Sequence, residues 1–536
     1  MKRFFILPII ALAAVSCMFQ TVEVDVIPSP VAVETFTGVF EFEESSDVVP
    51  SADDLKQIAE IFAEDMSEVL GFPLGVNDSY ANRGDVLLRI SSDLEAEEYE
   101  LEVADDQILV TGGSVAGVFY GLQTVRQLVD DDNRIEALYI KDKPYFAYRG
   151  SLFDVARHFY TVDEVKQYID ILAMHKLNRL HLHLTDDQGW RIQINKYPLL
   201  TEVGSNRKET VVGKNAPDNN NFDGKPHGGY YTQDEIRDIV AYAQARCITI
   251  VPEIDLPGHM QAALAAYPDL GCTGGPYETR TKWGISDDVL CAGNPQVYTF
   301  LEDVISEVLE LFPSEYIHIG GDECPKVRWE ACPKCQAKIR QLGLKDEGKH
   351  LAEHFLQNHV MNHIEKFLNE RGRKMIGWDE ILEGSASQTS TVMIWRDQAH
   401  AVTATRRGND IINSLRHFCY LDYCQTSEPE KEPLCVTHRY LSLRQVYRFD
   451  PCERLMLQDQ QRVLGVQANL WTEYIGDFKQ VQHMLLPRLA AFAETAWAYD
   501  RKGTYEDFAA RARKILPDYY QANGLHYAPY FFEGVE

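Results

Sequence analysis

His318-Ile319-Gly320-Gly321-Asp322-Glu323 follows the short apolar run 316–317 and places two carboxylates directly after a predicted β-strand. Glycine has no side chain, so a ligand can approach the backbone closely at this point. Neighbouring strand residues point to opposite faces, so both carboxylates can face one ligand only if the chain turns at the two glycines. The stretch predicts a charged site at the end of a buried strand. A calcium site or a solvated acidic turn is the alternative interpretation.

The sequence around this stretch alternates short apolar runs with helical patterns from Tyr148 onward. Thr161 and Thr232 each precede a glutamate by three residues, which is the pattern of a capping box at a helix start. Such an alternation predicts an α/β fold, a (β/α)8 TIM barrel, with its chemistry at the carboxyl ends of the strands. The predicted barrel strands are 150–153, 179–184, 249–253, 316–320, 375–377, 392–394, 410–413 and 464–467.

The barrel is predicted to occupy residues 144–500 and to follow a small α+β domain at 31–143. In the smaller domain, 53–70 has apolar residues at helical spacing, and 85–91, 98–103 and 107–111 have strand patterns. No reactive cluster stands out there, so we expect it to be a scaffold. Residues 18–30 are predicted as a tether and 501–536 as a C-terminal helical appendage.

The composition excludes some classes of partner. The chain has 536 residues, and 52 lysine and arginine residues against 81 aspartate and glutamate residues give a formal net charge of −29. Nucleic acids and anionic membrane surfaces require a basic face, so neither is an expected partner. The oligomeric state is not indicated.

The first residues predict export. Met1-Lys2-Arg3 precedes an apolar run at 4–15, which is too short to span a bilayer and has the order of a secretory signal. Ala14-Val15-Ser16-Cys17 resembles a bacterial lipobox, in which Cys17 becomes the lipidated N-terminus. We expect a protein of the periplasm or cell surface whose only membrane contact is this anchor, and an ordinary cleaved signal is the alternative.

Polar or aromatic residues occur at the end of nearly every predicted barrel strand, where they would converge on one face. They are Asp154 and Arg157-His158-Phe159, 181–191, 253–259, Asp322-Glu323, Trp378-Asp379-Glu380, Trp395, Tyr420-Leu421-Asp422 and Trp471-Thr472-Glu473. From Arg149 to Glu473 these motifs resemble, in the same order, those of the β-N-acetylhexosaminidases of glycoside hydrolase family 20. His-x-Gly-Gly-Asp-Glu resembles the catalytic signature of that family.

The resemblance implies an exo-enzyme that removes terminal β-linked GlcNAc or GalNAc from glycans and needs no metal or organic cofactor. It implies a retaining mechanism in which the substrate's own 2-acetamido carbonyl attacks the anomeric carbon. Glu323 would be the general acid and base, and Asp322 would orient the acetamide N–H. The other implied roles are a Tyr420 hydroxyl on the acetamide oxygen, aromatic walls of Trp378, Trp395 and Trp471, sugar-hydroxyl contacts from Arg149, Asp422 and Glu473, and a relay of His259 with Asp186 or Asp187 that holds Glu323.

Several alternatives stay open. The same motifs serve relatives that release a disaccharide, such as lacto-N-biosidases. A noncatalytic glycan-binding lipoprotein would retain the tryptophans but has no need of Glu323. A metal-dependent hydrolase using His181, His183 and the aspartates would lose activity with a chelator. Arg149 has a further alternative, a buried ion pair in the barrel floor.

The eleven cysteines leave ten after Cys17. Cys332-Pro333-Lys334-Cys335, with Cys324 nearby, has the spacing of half a zinc site, but no second Cys-x-x-Cys completes four ligands, so a loop disulfide is favoured. The family resemblance implies a disulfide between Cys272 and Cys291. Connectivity among the rest is not deduced: Cys247, Cys419, Cys424, Cys435 and Cys452.

Overall fold

A computed structural model describes residues 24–535 except 78, 80, 215, 217 and 385 and the side chains of 437 and 438. The predicted signal, its lipobox and the first part of the tether lie outside the described residues. Residues 24–30, predicted to continue the tether, pack against the protein instead. Val26 and Ile27 are buried, and the backbone of Ile27 exchanges two hydrogen bonds of 3.0 and 2.7 Å with the Gln127 side chain.

The smaller domain is a seven-stranded mixed sheet. Its strands, in spatial order, are Ala32–Glu41, Arg134–Asp142, Tyr99–Val103, Ile108–Gly112, Val86–Ile90, Asp47–Pro50 and Gly75–Val76. The first four pair antiparallel and the last four pair parallel. The helices Lys56–Leu70 and Val115–Leu128 supply its apolar core residues together with the sheet.

The larger domain is a closed eight-stranded barrel with every neighbouring pair parallel. Barrel strands 1 to 8 are Tyr148–Asp154, Arg179–His183, Thr249–Glu253, Tyr316–His318, Lys374–Trp378, Thr391–Ile394, Ile411–Asn413 and Val463–Leu470. All eight predicted strands are present, and the predicted (β/α)8 barrel is confirmed. Every residue of strand 1 is buried, as expected for a strand covered on both faces.

The helices of the barrel and the C-terminal part are Val162–Met174, Leu199–Glu202, Gln233–Ala245, Gln261–Ala266, Pro295–Leu311, Val327–Ala331, Pro333–Leu342, Ala352–Asn369, Gln398–Arg407, Arg416–Cys419, Leu443–Tyr447, Leu457–Gln460, Phe478–Leu485, Arg488–Ala498 and Tyr505–Ala522. Thr161 and Thr232 form the two predicted capping boxes. Between strands 5 and 6 the only helix among the described residues is the short 3-10 helix Asp379–Leu382. The barrel thus departs from strict strand-helix alternation at this point.

The two domains meet at buried polar groups near the amino ends of the barrel strands. Asp142, in the last strand of the smaller domain, accepts hydrogen bonds from Tyr99 Oη at 2.8 Å and from Trp497 Nε1 at 3.0 Å. Lys176 Nζ lies 3.4 Å from the same carboxylate. Because these polar groups are buried, each needs a hydrogen-bonding or ionic partner, and they serve as partners for one another. These contacts join the two domains.

The disulfide pairing of the cysteines differs from the pairing expected from the sequence. The disulfide in the described residues joins Cys424 and Cys435. Cys272 and Cys291 are not bonded to each other, and Cys332 and Cys335 are also free, so the implied and favoured loop disulfides are wrong. Within the described ranges, none of the helices has the length and apolar character required to cross a bilayer.

Candidate active site

The chain turns at the two glycines after strand 4. Gly320 and Gly321 have φ of +64° and +99°, and a Cβ on Gly320 would lie 1.7 Å from Asp255 Oδ1. The turn brings Asp322 and Glu323 to a common neighbour, because His259 Nε2 lies 3.7 Å from Asp322 Oδ2 and 3.7 Å from Glu323 Oε2. Glu323 itself has a φ of +43°, a sparsely populated conformation that the packed surroundings hold in place.

His259 connects these carboxylates to a second acidic pair. Its Nδ1 lies 3.1 Å from Asp186 Oδ1 and 3.6 Å from Asp187 Oδ2. Burial alone lowers the pKa of His259, but Asp186 and Asp187 outweigh burial and raise that pKa well above its usual value. Asp187 is held by the backbone N–H groups of Gln261 at 3.0 Å and Ser286 at 3.1 Å. The arrangement holds a cationic imidazole between two pairs of carboxylates.

Burial raises the pKa of both Asp322 and Glu323, and the His259 cation partly offsets this effect. The Asp322 charge raises the pKa of Glu323 further. Asp255 lies below the turn, where it accepts the Gly321 N–H at 3.2 Å. Burial and Asp322 raise the pKa of Asp255 well above its usual range. A proton held on Asp255 allows Asp322 to be the anion of this buried pair.

Four aromatic rings form one wall of the site: one ends strand 5, two directly follow strands 6 and 8, and one lies in the segment after strand 7. Trp395 stacks on Tyr420 with centroids 6.1 Å apart, and Tyr420 lies 6.3 Å from Trp471. Trp471 lies 5.9 Å from Trp378. Flat faces of this kind suit a small apolar group and the C–H surface of a sugar ring.

Two carboxylate oxygens at the site have no protein partner. Asp322 Oδ1 and Asp422 Oδ1 are buried and lack a hydrogen-bond partner among the described residues. Burial, with the nearby Glu473, raises the pKa of Asp422 well above its usual value. A buried acceptor left unpaired costs about 1–3 kcal/mol, so both atoms favour a ligand that brings donors.

Arg157 lies at the centre of this group, although sequence reasoning gave it no role. Its Nη2 lies 2.7 Å from Asp186 Oδ2, its Nη1 lies 3.4 Å from Asp154 Oδ2, and its guanidinium lies 5.0 Å from the Trp471 ring centre. Burial lowers the pKa of Arg157, but Asp186, Asp154 and Glu473 together raise it well above its usual value. The sequence did contain a signal for a role of Arg157 in the site, namely its position directly after strand 1 in the Arg157-His158-Phe159 motif.

Arg149 does not join the site, so its predicted contact with a sugar hydroxyl is wrong. It is the second residue of strand 1 and lies at the amino end of the barrel, opposite the carboxylates. Its guanidinium contacts Glu97 at 2.8 and 3.0 Å and the Phe146 carbonyl at 2.8 Å, and Nε donates to the Lys176 carbonyl at 3.0 Å. The alternative, a buried ion pair in the barrel floor, describes its position.

Beneath the wall, Glu253 binds a cluster of histidines, and sequence reasoning assigned no role to this glutamate. His181 Nε2 lies 3.0 Å from Glu253 Oε2, His318 Nδ1 lies 2.8 Å from Oε1, and Trp378 Nε1 donates to Oε1 at 2.9 Å. His183 contacts Glu253 through Nδ1 and Asp186 through Nε2 at 2.9 Å. Burial lowers the pKa of His183, but Glu253 and Asp186 outweigh it and raise that pKa to about 10. Both ring nitrogens of His183 thus have hydrogen-bond partners, and His181 Nδ1 pairs with Gln467 Nε2 at 3.0 Å.

The sequence matches family models along both domains. The model for "Glycosyl hydrolase family 20, catalytic domain" matches residues 146–500, and that for "Glycosyl hydrolase family 20, domain 2" matches residues 23–143. A β-hexosaminidase of Porphyromonas gingivalis is 41% identical over 503 residues, which cover 91% of this chain and 62% of that protein. A β-hexosaminidase of Vibrio furnissii is 38% identical over 416 residues, covering 76% of this chain and 66% of the relative. The chain thus spans slightly less than two thirds of the length of both relatives.

A solved structure has the same fold. The crystal structure of an exo β-N-acetylglucosaminidase from Vibrio harveyi in complex with N-acetylglucosamine superimposes with a TM-score of 0.83 at 32% sequence identity. The match covers 94% of this chain and 78% of that one. The family models and this structure agree with the barrel and with the smaller domain that precedes it. The chain belongs to glycosyl hydrolase family 20.

Proposed function

We propose that this protein is an exo-β-N-acetylhexosaminidase that removes terminal β-linked GlcNAc or GalNAc by a retaining, substrate-assisted mechanism. The observation that carries the proposal is Asp322 Oδ1, a buried and unpartnered acceptor beside Glu323. A 2-acetamido group supplies an N–H donor for the Asp322 carboxylate and a methyl group that can pack against the aromatic wall. The two relatives named above are both β-hexosaminidases, which supports the same class of substrate.

Glu323 is the proposed general acid. Its side chain is 39% exposed, so it can reach a leaving-group oxygen. Its raised pKa favours the protonated form that this step requires, because burial and the Asp322 charge both oppose a second anion. After the sugar bond breaks, the same carboxylate is an anion and takes a proton from the attacking water.

Asp322 is the proposed partner of the acetamide. As an anion it accepts the acetamide N–H, which turns the carbonyl oxygen toward the anomeric carbon, and it balances the positive charge that develops on the oxazolinium ring. Trp378, Trp395 and Trp471 enclose the methyl group, and the Tyr420 hydroxyl donates to the carbonyl oxygen. These contacts align the internal nucleophile before the bond breaks.

Arg157, Asp422 and Glu473 are the proposed ligands of the hydroxyls of the terminal sugar. Arg157 supplies donors, and the unpartnered Asp422 Oδ1 supplies an acceptor. Together they recognise a sugar with free hydroxyls, as an exo-enzyme requires.

The test measures hydrolysis of aryl β-GlcNAc, aryl β-GalNAc and an aryl lacto-N-bioside by the protein without residues 1–17. Asp322→Asn, Glu323→Gln and a thiazoline inhibitor, which mimics the cyclised acetamide, are the probes. We expect thiazoline-sensitive activity on the monosaccharides and a loss of about 10²–10⁴-fold in kcat for Glu323→Gln. That loss should shrink for a dinitrophenyl leaving group, which needs no proton, whereas Asp322→Asn should stay impaired.

Three results would overturn the proposal. Binding of the sugars without cleavage would favour a noncatalytic glycan-binding protein. Activity on the disaccharide substrate alone would favour a lacto-N-biosidase. Loss of activity on treatment with a chelator, with the thiazoline having no effect, would point to a metal-dependent hydrolase.

We also propose that the protein is exported by a bacterial cell and anchored through a lipid on Cys17. The charged start, the apolar run and the lipobox-like 14–17 support this, and the Cys424–Cys435 disulfide suits an oxidising compartment. Metabolic labelling with a palmitate analogue should label the wild type and not Cys17→Ala. Equal release of both proteins into the soluble fraction would indicate an ordinary cleaved signal.

A further inference from the structure

Four cysteines meet beside the active site, and neither the proposed reaction nor a disulfide uses them. Cys272 and Cys291 lie in the loop after strand 3, and Cys332 and Cys335 lie after strand 4, at the start of helix Pro333–Leu342. Their sulfur atoms all lie within 4.8 Å of one another, and Cys291, Cys332 and Cys335 are buried. Cys-x-x-Cys at a helix start is a common half of a zinc site, and the other two cysteines complete a set of four.

Three of the distances between the sulfurs match the edge of a metal-thiolate tetrahedron. Cys272 Sγ lies 3.8 Å from Cys335 Sγ, and Cys291 Sγ lies 3.8 Å from Cys332 Sγ and 3.7 Å from Cys335 Sγ. Four sulfurs held about 2.3 Å from a central zinc ion are about 3.8 Å apart along each edge. A disulfide would bring two of them to about 2.05 Å.

The backbone packs closely around the four sulfurs, and a helix begins at two of the cysteines. A side chain at Gly293 is excluded, because its Cβ would lie 2.2 Å from the Lys334 carbonyl carbon. The first turn of a ten-residue helix adds a positive dipole end at Cys332 and Cys335. Cys272 is half-buried and borders a surface depression with Asn294 and Lys334, which leaves a route for an ion.

We propose that Cys272, Cys291, Cys332 and Cys335 bind one structural Zn²⁺ ion as a four-thiolate site. Binding converts four S–H groups to thiolates and releases four protons, without any change of oxidation state. All four positions are filled by protein sulfur, so the ion has no open position for substrate or water and takes no part in the hydrolysis. The proposal departs from the expectation of a metal-free protein and does not depend on the proposed activity.

The site would tie together the two loops that flank the acid. Downstream of Glu323, Trp329 Nε1 donates to the Leu290 carbonyl at 2.9 Å, and Arg328 Nε lies 2.7 Å from Asp288 Oδ1. The same 272–291 loop carries the Ser286 N–H that holds Asp187, the neighbour of His259. Removing the ion should therefore loosen the support of His259 as well as lower the stability of the protein.

The experiment measures metal in the full chain, purified without chelator from cells supplied with zinc. Elemental analysis and native mass spectrometry should give one zinc per chain, and an organomercurial should release it into a colorimetric zinc indicator. Cys332→Ser and Cys335→Ser should lose the ion, whereas the matched control Cys452→Ser, a buried cysteine outside the cluster, should retain it. Protein produced with Co²⁺ should show sulfur-to-metal charge-transfer bands and the visible spectrum of a tetrahedral site.

The cobalt spectrum and the release assay use the wild type, so they hold even if a cysteine variant fails to fold. Non-reducing peptide mapping is the measurement that can contradict the proposed zinc site. Two disulfides among these four cysteines, with no bound metal, would refute the site, and one iron per chain in place of zinc would refute the identity of the ion. Activity of the wild type on aryl β-GlcNAc is measured in parallel, so failure of the metal proposal and failure of the proposed function are read separately.

Discussion

Arg149 lies near the start of barrel strand 1, and Arg157 lies just past its end. Replacing each arginine with methionine should have different consequences for stability and activity. Arg149 is fully buried, and the carboxylate of Glu97 across the domain boundary is 26% exposed. Breaking a buried pair by removing one partner costs about 3–5 kcal/mol. The partly exposed Glu97 can regain some hydration, so we expect the lower end of that range for Arg149→Met.

The two variants should also differ in their effect on catalysis. Arg149 lies at the end of the barrel away from Glu323, so the kcat/KM of folded Arg149→Met should stay within about twofold of wild type. Arg157 is proposed to bind sugar hydroxyls, and hydrogen bonds to a charged group contribute about 1.5–3 kcal/mol. Arg157→Met should therefore lose about tenfold to a hundredfold in kcat/KM.

The assay combines urea unfolding, followed by tryptophan fluorescence, with initial rates on aryl β-GlcNAc at a temperature where both variants are folded. Glu97→Gln and the double variant Arg149→Met/Glu97→Gln complete a cycle, whose coupling energy should be about 0.5–3 kcal/mol. The reasoning fails if Arg149→Met keeps wild-type stability but raises KM, or if Arg157→Met keeps full kcat/KM.

Three further predictions concern the charged network and the disulfide. The His259 cation lies 3.7 Å from both Asp322 and Glu323 and lowers the pKa of each. His259→Asn removes this cation, so both pKa values should rise and both limbs of the kcat/KM profile should move to higher pH by about 1–3 units. A profile that only loses height would contradict this prediction. The pKa of His183 rises from about 6.5 in the unfolded chain to about 10 in the folded protein. Its stabilising contribution is therefore complete below pH 6.5 and disappears as pH rises towards 10. The difference in unfolding free energy between wild type and His183→Gln should be larger at pH 6 than at pH 10, and an unchanged difference would argue against the imidazolium. The Cys424–Cys435 disulfide closes a short loop beside Tyr420 and Asp422. The double variant Cys424→Ala/Cys435→Ala should therefore lose about 2–3 kcal/mol of unfolding free energy. A reductant should shift the urea midpoint of the wild type but not that of the double variant.

The sequence by itself determined the barrel and the edge at which its carboxylates and aromatic rings gather. Apolar runs bounded by polar residues were enough to predict all eight strands, because a strand covered on both faces is mostly apolar along its length. The turn at Gly320 and Gly321 was also predictable, since only a residue without a side chain fits against Asp255 there. In the smaller domain, four strands escaped detection: Ala32–Glu41, Asp47–Pro50, Gly75–Val76 and Arg134–Asp142. Much of Ala32–Glu41 is exposed, and Gly75–Val76 is only two residues long.

Tertiary structure alone decided which distant residues meet. Strand 1 begins at Tyr148, so Arg149 lies at its amino end and Arg157, eight residues on, lies past its carboxyl end among the carboxylates. A motif gives the order of these residues but not the end of the barrel that each one faces. The four cysteines pose the same problem, because Cys291 and Cys332 are 41 positions apart in sequence and meet only where two loops cross. Local patterns record which surfaces must be buried, whereas contacts between loops depend on how the closed barrel brings the ends of its strands together.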